Sequence, residues 1–429
     1  MSPGLERITA KARHEPKLRF TSLAHHIDAE RLWRNLCHVP RHTAPGSDGQ
    51  TVDDLKQEFV AWSETTLRAL HTQGYRPPPV RRTYIPKPGK RELRPLGVPC
   101  IGDRVLQRSV ADVLTAIYEQ DFLPCSFGGR PGLGAHHALA TLHEVVAGKP
   151  VSWIYEADLR NFFGSLDHEW LLRFVHHRIG DPRLVRLIRR WLKAGVLEDG
   201  SIEPSEEGVP QGGSISVVLS NLYLHYVLDL WCERVVKPRL QGEAYLMRYI
   251  DDFVVCFQYR ADAQRFEQAL VKRLAKFALA LEPTKTRLVA FGRFAERDAK
   301  RDGKRRETFT FLGFTLYCTR NRQGNFKVGW RTDKSRLRRS LAKCHQLLQI
   351  IRHEPLKEQA EQINQGLRGH YAYYGVAGNV GSLLGVYRHG ERYGRTMRSR
   401  RSHKGYVRWQ ALVAIKRSDP LPRPKRSLP

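Results

Sequence analysis

Two runs of β-favouring apolar residues, Ala244-Tyr245-Leu246-Met247-Arg248 and Phe253-Val254-Val255-Cys256-Phe257, flank the tetrapeptide Tyr249-Ile250-Asp251-Asp252. The pattern predicts a β-hairpin with two carboxylates at its tip. About ninety residues upstream, Val151-Ser152-Trp153-Ile154-Tyr155-Glu156-Ala157-Asp158-Leu159 is again strand-like, carries Asp158 near its end and leads into Phe162-Phe163. Residues 81 to 99 read as a further hairpin, dense in Lys and Arg. Helical spacing runs over Ile27 to Cys37, Asp103 to Tyr118 and Ala263 to Leu281, and residues 169 to 197 are amphipathic and Arg-rich. Thr51 and Asp167 stand where N-caps are expected. The longest apolar stretch, Ile215 to Trp231, is interrupted by Ser220, Asn221, His225 and Asp229. It predicts a core helix rather than a membrane span.

From Lys334 onward the composition turns helical, with segments around Arg336 to Arg352, Leu356 to Tyr374 and Arg392 to Lys404. Arg293 to Glu307 reads as a loop, and the Pro- and Arg-rich tail after Asp419 as disordered. Strands and helices in this order predict an α+β chain. The expected divisions are an N-terminal extension over 1–75, a mixed domain over 76–330, a helical domain over 331–418 and a basic tail over 419–429.

A chain of 429 residues, 41% hydrophobic, can build two or three domains with real cores. Its net charge of +29 points to a polyanionic partner, nucleic acid first, although a basic protein that binds anions without chemistry would share it. The seven Cys residues are scattered without zinc-ligand spacing, which suits reduced thiols in the cytosol. Met1 to Lys17 mixes charge with Pro and has no apolar core, so no signal peptide is expected.

Adjacent Asp251 and Asp252 repel each other, and holding them between buried strands calls for a cation. An oxygen-only donor set suggests Mg²⁺. An ordinary Asp-containing turn is the alternative for the dipeptide alone. Asp158 on a separate strand shifts the balance, because two-metal phosphoryl transfer needs carboxylates from different strands around ions roughly 4 Å apart.

Asp158-Leu159-Arg160-Asn161-Phe162-Phe163 and Tyr249-Ile250-Asp251-Asp252 resemble the two palm motifs of the reverse transcriptases of group II introns and their non-mobile bacterial relatives. The likeness extends over nearly the whole chain, and it implies a right-hand polymerase fold of fingers, palm and helical thumb. It implies that Asp158, Asp251, Asp252 and the Leu159 carbonyl hold two Mg²⁺ ions, with Mn²⁺ as a substitute. It places Lys87 and Arg94 on the phosphates of an incoming deoxynucleoside triphosphate and Gln211, in Gly208-Val209-Pro210-Gln211-Gly212-Gly213, against the same nucleotide. Phe163 matches the ring that excludes a 2′-hydroxyl, and Phe162 is expected in the core. Lys285 would assist the leaving pyrophosphate or cap charge on a turn.

By the same resemblance, Leu312 and Gly313 form a primer-gripping hairpin, Ile250 lies beneath the primer terminus and Arg130 touches template backbone. Arg104, Gln107 and Arg108 are candidates to face nucleic acid. Gly46-Ser47-Asp48-Gly49 would belong to the extension that covers the template. Three departures stand out. Gly129 replaces an aromatic, Ile215-Ser216-Val217-Val218 replaces an apolar-Ser-Pro run, and Ile250 replaces the Ala usual in intron-encoded enzymes. The chain is also expected to lack the endonuclease region with paired Cys. Ile250 and the missing endonuclease region together imply a host-serving enzyme that acts on RNA and DNA template–primer duplexes in the bacterial cytoplasm, near the nucleoid, without a membrane. DNA break repair through short base-paired ends is the implied pathway. An intron maturase and a phage-defence enzyme are the alternatives, and the sequence leaves oligomeric state open.

Overall fold

The computed structural model describes residues 2–86, 92–198, 201–203, 207–208, 213–301, 303, 305–401 and 406–424. It divides into two compact units, residues 1–142 with 155–288 and residues 143–154 with 289–429. The strands in chain order are β1 Val80–Pro86, β2 Leu93–Val98, β3 Trp153–Asp158, β4 Val196–Glu198, β5 Ser201–Glu203, β6 Ala244–Tyr249, β7 Asp252–Phe257, β8 Arg287–Ala290, β9 Thr308–Phe311, β10 Phe314–Arg320 and β11 Phe326–Thr332.

In the first unit the helix Ile101–Tyr118 is buried except along the stripe of Arg104, Arg108, Asp112 and Thr115. The helices Pro3–His14 and Ala29–Cys37 pack on it. Arg178 is buried, donates to the carbonyls of Ala12 and Pro16 and pairs with Asp121, so the open Ala12 carbonyl in the last turn of the first helix finds a donor. Asp181 accepts from the backbone N–H groups of Leu23 and Ala24. Two sheets lie in this region, ordered β2-β1-β4-β5 and β6-β7-β3-β8. Thr51 and Asp167 cap their helices as expected. The Ile215-to-Trp231 stretch is less regular than a single α-helix: Ser216–Leu224 is α-helical and His225–Asp229 is a π-turn.

The second unit holds the sheet β11-β10-β9 and the helices Lys334–Ile350, Leu356–Tyr374 and Val380–Ser399. Leu348, Ile363, Leu367, Leu383, Val386 and Met397 form the core of these helices. Buried Asn379 accepts from Thr332 N at 2.8 Å and donates to Thr332 Oγ1 and the Tyr374 carbonyl, which ties β11 to the helices. One expectation changes here: the 293–307 region contains the helix Ala295–Arg301. Within the tail, Leu421 packs on the helical core and Pro420 O accepts from Asn364 Nδ2.

Candidate active site

The hairpin β6–β7 closes in two residues, because Tyr249 pairs with Asp252 across the strands and only Ile250 and Asp251 form the turn. Phe253 to Phe257 are fully buried, which anchors one side of the acidic tip in the core. Ile250 adopts φ +58°, a left-handed conformation that costs a β-branched residue on the order of 1–2 kcal/mol. Gly128 lies against this turn so closely that a Cβ there would come within 2.7 Å of Ile250 N and Cγ1.

Strand β3 neighbours β7 in the sheet and ends at Asp158, so the sheet brings the two acidic motifs together. Asp252 has its carboxyl raised from 3.8 to about 8, first by burial and then by the negative charges of Asp158, Asp251 and Glu156, with Lys285 opposing. Lys285, in the 3-10 turn Pro283–Lys285, donates to an Asp158 carboxylate oxygen. Burial alone would lower its ammonium, but the Asp158 hydrogen bond and the charges of Asp158, Asp252 and Asp251 outweigh that and raise it. The sequence left its role open, and the structure pairs it with a carboxylate. Arg287 likewise pairs with Glu156.

Among the described residues no three His, Cys, Asp or Glu side chains gather closely enough to hold a metal by themselves. The chemistry of the donors nevertheless fits a hard divalent cation. The group is oxygen-only, and the burial and neighbouring negative charges that raise the Asp252 carboxyl are what such an ion would offset.

The other expected residues divide. Phe162 is buried and Phe163 half-exposed, with their rings edge-on at 5.3 Å, so the first is core and the second is available to a ligand. Gly208, at φ +83°, passes over the Phe163 carbonyl with room for no side chain: a Cβ would lie 2.8 Å from it. Lys87 and Gln211 lie outside the described residues, as does the Arg94 side chain, although Arg94 pairs with Ile85 between β1 and β2. Leu159 is buried and bridges to Leu281.

Arg130, expected on the template backbone, has a mostly covered guanidinium that pairs with Glu119 at 3.0 Å and donates to the carbonyls of Leu123 and Ser126. Gly129 has φ +69°, and a Cβ there would approach Val217 Cγ1 to 2.1 Å, which is why no aromatic fits. Arg104 donates to the carbonyls of Pro99 and Ala44 and Gln107 is buried, which leaves Arg108 as the exposed member of that trio.

In the second unit, Leu312 (φ +49°) and Gly313 (φ +82°) form the two-residue turn between β9 and β10. Tyr373 Oη donates to the Leu312 carbonyl at 2.9 Å, and the Gly313 carbonyl accepts from Asp333 N. Sequence reasoning passed over Arg248, which donates to the Ile250 carbonyl of the acidic turn. The one available signal for Arg248 was a charged residue at an inward position of an apolar strand.

A family model described as reverse transcriptase (RNA-dependent DNA polymerase) matches residues 85–316. Protein YkfC of Escherichia coli strain K12 is 29% identical over 383 residues, 81% of this chain and 96% of that protein. The group II intron-encoded protein LtrA of Lactococcus lactis subsp. cremoris is 32% identical over 53% of this chain, which spans only 38% of LtrA. Nuclear intron maturase 3 of Arabidopsis thaliana, described as mitochondrial, is 29% identical over 37% of this chain and 25% of its own length.

Proposed function

From the premise that this chain belongs to the reverse transcriptase family, as an RNA-directed DNA polymerase of group II intron type, we propose that it extends a primer 3′ end on RNA and DNA templates by two-metal nucleotidyl transfer. What supports the reading is that β3, ending at Asp158, lies beside β7, which begins at Asp252 in the same sheet, together with the raised carboxyl of Asp252. Asp158, Asp251, Asp252 and the Leu159 carbonyl would hold two Mg²⁺ ions, with Mn²⁺ able to replace them. When bound, such ions lower the barrier to attack by a hydroxyl and stabilise a departing pyrophosphate.

The side chains do the rest. Lys285 sits at Asp158 and is released to the phosphates once the carboxylates are neutralised. Lys87, Arg94 and Gln211 hold the nucleotide, and Phe163 screens its sugar by colliding with a 2′-hydroxyl. We assign fingers and palm, with the Leu312-Gly313 turn supporting the primer, to residues 76–330 and a thumb to 331–418.

A host-serving role in DNA break repair fits Ile250 and the departures from intron-encoded enzymes. The relatives named for introns favour a second reading, binding and stabilisation of intron RNA, for which the net charge of +29 also suits. No helix among the described residues is long and apolar enough to cross a membrane. Primer extension with RNA and DNA templates tests the reading. Asp251→Ala should abolish synthesis while template–primer affinity is kept, and retained synthesis would overturn the metal assignment.

A further inference from the structure

We propose that Arg248 is the positioning residue of the catalytic turn: its guanidinium, sealed in the core, fixes the Ile250 carbonyl and through it the two carboxylates that follow. This rests on the polymerase reading above.

A guanidinium has five N–H donors in a rigid plane. At Arg248 each has an acceptor. Nε donates to Asp229 Oδ1 at 2.8 Å and Nη2 to Asp229 Oδ2 at 2.6 Å. Nη2 also donates to Ser126 Oγ at 2.8 Å, and Nη1 donates to Asn221 Oδ1 at 2.9 Å and to the Ile250 carbonyl at 3.0 Å. Both members of the ion pair have side chains with no exposure. A buried ion pair stabilises a fold little better than apolar residues of the same volume, so stability alone gives weak reason for one. What it adds is direction.

The direction here is toward the turn. Ile250 C=O and Asp251 N–H belong to one planar peptide unit, so holding that oxygen orients the backbone on which Asp251 is mounted. The turn needs holding, since Ile250 sits at φ +58°. The other partners come from separate elements of the chain. Asp229 is the last residue of the π-turn His225–Asp229, where the extra residue turns the helix register. Asn221, one α-helical segment earlier, also donates from Nδ2 to Gly128 O at 2.7 Å. The segment bearing Ser126 and Gly128 pairs with β6 through Arg248 N to Cys125 O and Phe127 N to Arg248 O, at 2.8 and 2.9 Å. One side chain therefore joins a helix, a loop and a strand to a single carbonyl at the acidic tip.

The test uses the full chain with two variants beside the wild type. Arg248→Lys keeps the charge and loses the fork, and Asp229→Asn keeps the shape and weakens the grip. Each is assayed for single-nucleotide extension, template–primer affinity and thermal unfolding. A displaced reacting group costs up to about 100-fold in rate, so kcat should fall by about that factor in Arg248→Lys and by about tenfold in Asp229→Asn. KM for the nucleotide and affinity for template–primer should stay within about threefold, as expected when ground-state binding is untouched.

Equal kcat in all three proteins overturns the proposal. So does a loss that follows the folded fraction and is recovered on cooling, or failure of both variants to fold, since either makes Arg248 a residue of the fold alone. A wild type that does not extend primers would instead refute the polymerase reading, and the two failures are thereby distinguished.

Discussion

Replacing Asp252 by Asn should stabilise the metal-free protein while abolishing synthesis. The carboxyl of Asp252 is raised from 3.8 to about 8 by burial and by Asp158, Asp251 and Glu156. A carboxyl raised in the folded state contributes stability that is fully present below its unfolded value, near 3.8, and is lost as pH rises through about 8. At about 1.4 kcal/mol per pH unit, that interval sets a ceiling of about 6 kcal/mol on what ionising Asp252 costs the fold. Asp158 and Asp251 share the repulsion and adjust when one charge is removed, so the realised gain from Asn is on the order of 1–2 kcal/mol. That corresponds to roughly 2–4 °C in Tm. The assay is thermal unfolding of wild type and Asp252→Asn in EDTA across a pH series, repeated with Mg²⁺. The variant should gain nothing below the ordinary carboxylate range and most near pH 8, and Mg²⁺ should raise the wild type far more than the variant. A variant no more stable than wild type at pH 8 in EDTA, or a gain that ignores pH, would refute the reasoning that these carboxylates repel one another across the sheet.

Phe163→Ala should admit ribonucleotides, read by incorporation of each nucleotide class on the same primer; unchanged sugar selectivity would leave the half-exposed ring without a gating role. Gly129→Ala places a Cβ 2.1 Å from Val217 Cγ1 at φ +69°. It should destabilise by about 2–4 kcal/mol in denaturant unfolding. Adding Val217→Ala should recover only the part due to overlap, leaving about 1–2 kcal/mol for the backbone. Tyr373→Phe removes the hydroxyl that meets the Leu312 carbonyl, with an expected loss of about 1 kcal/mol. If that turn grips the primer, the variant should release template–primer faster and make shorter products, while unchanged product length would separate Tyr373 from primer binding.

Much of the site was legible in the chain because it is written locally. The alternation around Tyr249 to Asp252, the strand ending at Asp158 and the caps at Thr51 and Asp167 each depend on residues a few positions apart, and each stands where its pattern put it. The irregular features were not legible. Nothing in Ile215 to Trp231 announces a π-turn at His225, and nothing around Arg293 to Glu307 marks the helix Ala295–Arg301.

The arginines show where the sequence stopped. By itself it determined that the chain is strongly basic, that Asp158, Asp251 and Asp252 stand on two strand-like segments, and which short segments form strands or helices. Only the tertiary structure decided which positive charges face outward. Arg130 and Arg248 look in the sequence like any other cation, yet both are enclosed, and Arg248 reaches Ser126 across 122 positions of chain. Burial of a charge is set by partners that folding brings from far away, and no local pattern of residues records that distance.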